Sequence, residues 1–130
     1  MKHITNKKYT LATDMGNMSD SLLNEIKGSH SVILESNHDV EMLRIGPYPY
    51  PLKQRILGDF GHLSNEMAAQ TALALVKSGT QNIMLGHLSE NNNTPEIAQL
   101  ETYNVLTGAG VKVGSDVSLC VARRHNITTF

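Results

Sequence analysis

Gly61-His62-Leu63-Ser64-Asn65 and Gly86-His87-Leu88-Ser89-Glu90 spell nearly the same word twice, with the two histidines 25 positions apart. That interval has two readings, and they imply different folds. One is a repeat protein in which each unit carries the word. The other is one α/β layer in which two loops bring their histidines to a single place. The flanking segments decide. After the first word, Ser64 can cap a helix running to about Lys77, with Ala68, Thr71, Ala72 and Leu75 as its buried stripe. The second word instead ends an apolar strand, Asn82-Ile83-Met84-Leu85, and runs into Asn91-Asn92-Asn93. Only five-residue words match, so the repeat reading fails.

Working outward, the chain alternates. Lys8–Thr13 is β-branched and aromatic enough for a strand, and Asp14-Met15-Gly16 breaks it. Ser19 is a helix cap with Asp20 in the first turn; Leu22, Leu23 and Ile26 follow, and Gly28 stops the helix. Ser31-Val32-Ile33-Leu34 is a continuous apolar strand of the kind covered on both faces. Val40–Ile45 reads as a short helix. The proline-rich run Gly46–Pro51 reads as a loop, with a second short helix at Leu52–Leu57. Thr94-Pro95 opens a helix that reaches about Thr107 and closes at Gly108. Val117–Val121 is a last strand. The order β-α-β-α-α-α-β-α-β predicts an α/β layer with a largely parallel sheet.

The 130 residues fit one domain, with 40% hydrophobic and 18% charged residues and a net charge of −1. Disorder is excluded, and so is a broad electrostatic pull on nucleic acid or anionic membranes; a local basic patch is not. The single cysteine, Cys120, forbids an internal disulfide and reads as a small buried hydrophobe. No segment has the length of a signal peptide core or a membrane span, so a cytoplasmic, membrane-free protein is expected.

Ligands of open α/β sheets gather at the carboxyl ends of strands. Three strands here end in polar chemistry: Asp14 after the first, Glu35 to Asp39 after the second, His87 after the third. Carboxylates and imidazoles converging in this way are what Zn²⁺ or Mn²⁺ sites use. Each residue also has a plainer reading. An Asp before Gly is ordinarily a turn residue. His38 is ordinarily a hydrogen-bonded loop histidine. Glu35, with Asn37, either orients a ligand from behind or belongs to a strand-end hydrogen-bond network. Lys53 and Arg55 are phosphate candidates on what is otherwise a solvated helix face. His3, His30 and His125 have no supporting pattern.

Taken together the words are far more specific. Leu11-Ala12-Thr13-Asp14-Met15-Gly16, Leu34-Glu35-Ser36-Asn37-His38-Asp39, the run from Gly46-Pro47-Tyr48-Pro49 to Lys53-Gln54-Arg55-Ile56, Gly61-His62-Leu63-Ser64-Asn65-Glu66, and Gly86-His87-Leu88-Ser89 through Thr94-Pro95 occur in this order. The series resembles the metallo-β-lactamase superfamily, specifically its YycJ/WalJ-type hydrolases, across nearly the whole chain. The likeness covers only the second half of that family's domain.

The resemblance implies half of an αββα sandwich, one mixed sheet with helices on one face, formed by residues 1–130 as a single domain. It implies a phosphodiester hydrolase, a 5′-to-3′ nuclease, with two divalent metal ions, Zn or Mn. By the same resemblance Asp14 is the bridging metal ligand and His87 the last metal-binding histidine. His62 is the catalytic proton donor or phosphate-binding group, with Ser64 in the same motif near phosphate. From their place at the strand end, not from the resemblance, Glu35, Asn37 and His38 are read as supporting the ligands from behind. The family's His-x-His-x-Asp-His signature is absent, since no His-x-His occurs in the chain. The chain is therefore expected to need a missing N-terminal half-domain, with nucleic acid as substrate of the complete enzyme. A homodimer that buries the sheet face left open is also expected. The alternative is a non-catalytic binding or regulatory module that kept the fold.

Overall fold

The computed structural model describes residues 8–13, 18–58 and 61–122. Nine elements follow in the expected order: β1 (Tyr9–Ala12), α1 (Asp20–Ile26), β2 (Ser31–Glu35), α2 (Val40–Ile45), α3 (Tyr50–Leu57), α4 (Asn65–Lys77), β3 (Asn82–Gly86), α5 (Pro95–Gly108) and β4 (Ser118–Val121). The helix starts are set by side chains. Ser19, Asp39, Ser64 and Thr94 each accept a backbone N–H three residues on, satisfying a donor that the helix leaves open. One start differs from expectation. α3 begins at Tyr50, so Pro51 lies inside it rather than in the loop. Pro is tolerated there because a first-turn N–H has no partner in the helix to lose.

The strands pair in the order β1-β2-β3-β4, and all three pairings are parallel. The mixed character expected of the sheet does not occur among the described residues. A sequential parallel order with right-handed crossovers carries α1, α4 and α5 to the same face. Alternation along the strands confirms it. Ala12, Val32, Leu34, Ile83, Leu85 and Val121 join one buried core with Ile26 of α1, Ala68, Ala72 and Leu75 of α4, and Ala98 and Leu106 of α5. The predicted stripe of α4 is fully borne out, since Thr71 is buried with it. Tyr9, Leu11, Ile33, Met84 and Cys120 point to the opposite face and stand outside that core. Tyr9 and Leu11 are each 68% exposed. The single sheet with helices on one side is consistent with half of a metallo-β-lactamase-like α/β fold, while its all-parallel pairing departs from the mixed sheet expected.

Candidate functional site

The site is built at the carboxyl ends of β2 and β3. These neighbouring strands are in register at Glu35 and Gly86, so Glu35 and His87 emerge side by side. The first word arrives from a different direction. The segment before α4 runs parallel to the loop after β2. The Asn37 N–H donates to the Leu63 carbonyl at 2.8 Å, the Asn65 N–H to the His38 carbonyl at 2.8 Å, and His38 bridges Ser64. Leu63 is fully buried and anchors the turn, which leaves His62 at its mouth.

The two histidines thus meet on one carboxylate. Glu35 is completely buried, and its Oε2 lies 2.8 Å from His62 Nδ1 and 2.6 Å from His87 Nδ1. The rings are 5.2 Å apart at 65°, edge to face. A carboxylate oxygen only accepts, so each Nδ1 carries a proton and donates it. In the neutral rings the lone pair is then on Nε2. The imidazoles are 35% and 45% exposed while the group that orients them is not exposed at all. His87 itself has φ 55°, the left-handed region that a side chain ordinarily avoids. The Asn37 side chain holds that backbone by donating to the His87 carbonyl at 2.8 Å.

A buried amide network keeps the loops in place. Asn93 donates to the carbonyls of Ser36 and Asn37 and to Asn65 Oδ1. Asn65 donates back to Asn93 Oδ1, and Ser36 Oγ donates to Asn65 Oδ1 at 2.6 Å. This network was not foreseen in the sequence. Its signal was the Asn91-Asn92-Asn93 run, too polar to be buried unless paired. His38 is buried beside it, with Nδ1 near Asn37 Oδ1 at 3.2 Å. Burial, then the charge of His62, lowers its pKa from 6.5 to about 4, against a smaller opposing effect of Asp39. It is a neutral structural histidine at neutral pH.

The other expected residues divide. Arg55 lines a cleft of about 510 Å³ that His62 and His87 also line. Lys53 does not line it; its ammonium donates to the Arg44 carbonyl at 2.7 Å. Ser64 is the cap of α4 rather than part of the cleft. Asp14, His3 and His125 lie outside the described residues. Cys120 is half-buried on the open sheet face, and burial pushes its thiol pKa up, so it is not an activated nucleophile.

Among the described residues one group has the composition and spacing to hold a metal ion. Glu35, His62 and His87 each offer a ligand atom, and these atoms lie within 4.8 Å of one another. A carboxylate with two imidazoles fits Zn²⁺ or Mn²⁺.

No family model and no solved structure matches the chain. Curated proteins do. The chain is 46% identical over 112 residues to exodeoxyribonuclease YycJ of Bacillus anthracis, covering 86% of this chain and 42% of that protein. It is 44% identical over 110 residues to exodeoxyribonuclease WalJ of Streptococcus pneumoniae serotype 2, covering 85% of this chain and 41% of that protein. The chain is therefore similar along most of its own length to named exodeoxyribonucleases, and it spans about two-fifths of the length of these curated relatives.

Proposed function

We propose that this chain supplies part of the active site of a metal-dependent DNA nuclease of the metallo-β-lactamase superfamily. The observation that carries the reading is the buried Glu35 holding His62 and His87 at one place, at the strand ends where α/β sheets bind ligands. The names of the similar proteins point to DNA as substrate. His87 would offer Nε2 to a metal ion, and Asp14 would supply a carboxylate ligand. Glu35 Oε2 already receives two N–H donors, so Glu35 acts behind the ligands, fixing tautomer and ring orientation. When bound, two divalent cations, Zn²⁺ or Mn²⁺, polarise the phosphodiester.

His62 works as the acid. Its imidazolium donates the Nε2 proton to the oxygen that leaves as the P–O bond breaks. The ring is left neutral with Nδ1–H still on Glu35. Asn37 holds His87 in its unusual backbone conformation by donating to its carbonyl. Asp14 and His87 are too few ligands for a catalytic metal pair. The chain is read as acting with a half-domain that carries His-x-His-x-Asp-His, in the cytoplasm, and no helix of the described residues is long and apolar enough to cross a membrane.

The test is reconstitution with such a half-domain, followed by metal analysis and turnover of single-stranded DNA. The isolated chain should turn over little or no substrate. In the reconstituted enzyme His87→Ala should lose metal. His62→Ala should keep metal and slow turnover by roughly 10²–10⁴-fold. Equal metal loss in both variants would refute the division of roles. A reconstituted complex that binds DNA without cleaving it would favour the non-catalytic alternative.

A further inference from the structure

One face of α3 is turned toward the paired histidines. Leu52, Arg55 and Ile56 recur at helical spacing i, i+3, i+4 and line the same cleft as His62 and His87. Tyr48, just before the helix, completes the wall. Its hydroxyl accepts from Asn91 Nδ2 at 3.0 Å, which ties the loop before α3 to the loop after β3. The phenol is half-buried and anchored at its far end.

The chemistry of the lining is one-sided. Arg55 brings a permanent cation and the histidines bring two imidazoles, while none of the described residues lining the cleft is acidic; the Glu35 carboxylate lies buried behind the two rings. Beside these polar groups stand an aromatic ring, Tyr48, and three aliphatic side chains, Leu52, Ile56 and Leu88. The volume of about 510 Å³ is of the size that takes a small organic ligand. Lys53, the neighbouring cation, is engaged elsewhere, so among the described residues Arg55 is the lysine or arginine that faces the cleft.

We propose that this cleft seats one nucleotide of the substrate strand. Arg55 holds a phosphate against the imidazole side, and the sugar and base lie on Tyr48, Leu52 and Ile56. The ligand class rests on the nuclease reading; the binding itself does not require metal or turnover. Bases stack on aromatic rings with little regard to sequence, so the seat tolerates any base.

The 130-residue chain, freed of metal with chelator, is titrated calorimetrically with thymidine 5′-monophosphate, thymidine and inorganic phosphate. The monophosphate should bind about tenfold tighter than either of the others, since only it uses both halves of the cleft. Arg55→Gln should reduce the monophosphate to the affinity of thymidine. Tyr48→Ala should weaken the monophosphate and thymidine alike and leave phosphate unchanged; Tyr48→Phe, which keeps the ring, should retain most of the binding. Arg44→Gln, outside the cleft, should change nothing. No binding of the monophosphate, equal binding of phosphate, or a preference that survives Arg55→Gln would overturn the proposal. Metal uptake by the reconstituted protein is measured in parallel. His87-dependent uptake without nucleotide binding sinks this inference alone. Nucleotide binding without such uptake supports it and sinks the nuclease reading.

Discussion

His87 combines a positive φ of 55° with a side chain that the site uses, so its backbone is strained where its imidazole is needed. Such strain is typical of functional positions. Replacing His87 by Ala or by Gly removes the ring either way, but Gly adopts this conformation without steric cost. His87→Gly should therefore be more stable than His87→Ala by about 1 kcal/mol, measured by urea unfolding. Equal stabilities would mean that the backbone relaxes once the ring is gone. His38 gives a pH signature. Its pKa is lowered by burial from 6.5 to about 4 in the folded chain. Between those values the unfolded chain takes up a proton that the folded chain refuses. The contribution to stability is thus constant above about pH 6.5 and falls as the pH drops toward 4, by about 3 kcal/mol at most. Its Nε2 is buried without a partner among the described residues, so no acceptor there rewards protonation. Unfolding curves at pH 7 and pH 4.5 should show a loss in the wild type that is smaller in His38→Gln.

Among the elements, α3 and α4 cooperate at one glycine. Gly61, between α3 and α4, packs against the end of α3. A Cβ on Gly61 would run into the backbone carbonyl oxygens of Arg55 and Ile56. The next residue's N–H donates to that same Ile56 carbonyl at 3.2 Å, so the turn that presents His62 is docked on the last turn of α3. Gly61→Ala should push this turn away and destabilise the protein by about 1–3 kcal/mol. In reconstituted enzyme it should depress turnover while metal content stays, because His62 moves and His87 does not. A Gly61→Ala variant as stable as wild type, with unchanged turnover, would show that the close approach is dispensable. The second word has no such constraint: Gly86 meets only Ile33 and Ala122 side chains at ordinary contact distance. The two glycines look alike in the sequence and do different work.

At the scale of the whole molecule, the helices cover one sheet face and leave the other to Tyr9, Leu11, Ile33, Met84 and Cys120. Tyr9 and Leu11 are each 68% exposed on this face, and apolar side chains left open in this way suit a partner. In the absence of the proposed half-domain, two copies packed sheet to sheet would bury it, and two-fold pairing is the commonest solution. Light scattering on freshly purified chain should give a dimer, and Leu11→Glu should give a monomer. A monodisperse wild-type monomer at micromolar concentration that binds no hydrophobic dye would contradict the dimer.

The sequence alone determined the element order, because capping side chains, glycine stops and apolar periodicity act over a few residues. Ser19, Ser64 and Thr94 mark helix starts wherever the helices finally lie. It also determined that polar groups cluster after the strands, and it singled out His62, His87 and Glu35 for chemistry. What it could not fix is distance. Residues 35, 62 and 87 meet only because β2 and β3 are adjacent and parallel and the segment before α4 runs beside the loop after β2. That both rings donate to one carboxylate oxygen, that Arg55 faces the cleft while Lys53 does not, and that three separated asparagine and serine side chains form one network are likewise tertiary facts. The physical reason is the same each time: a hydrogen bond or a charge pair acts over a few ångströms, and only packing decides which distant residues come that close.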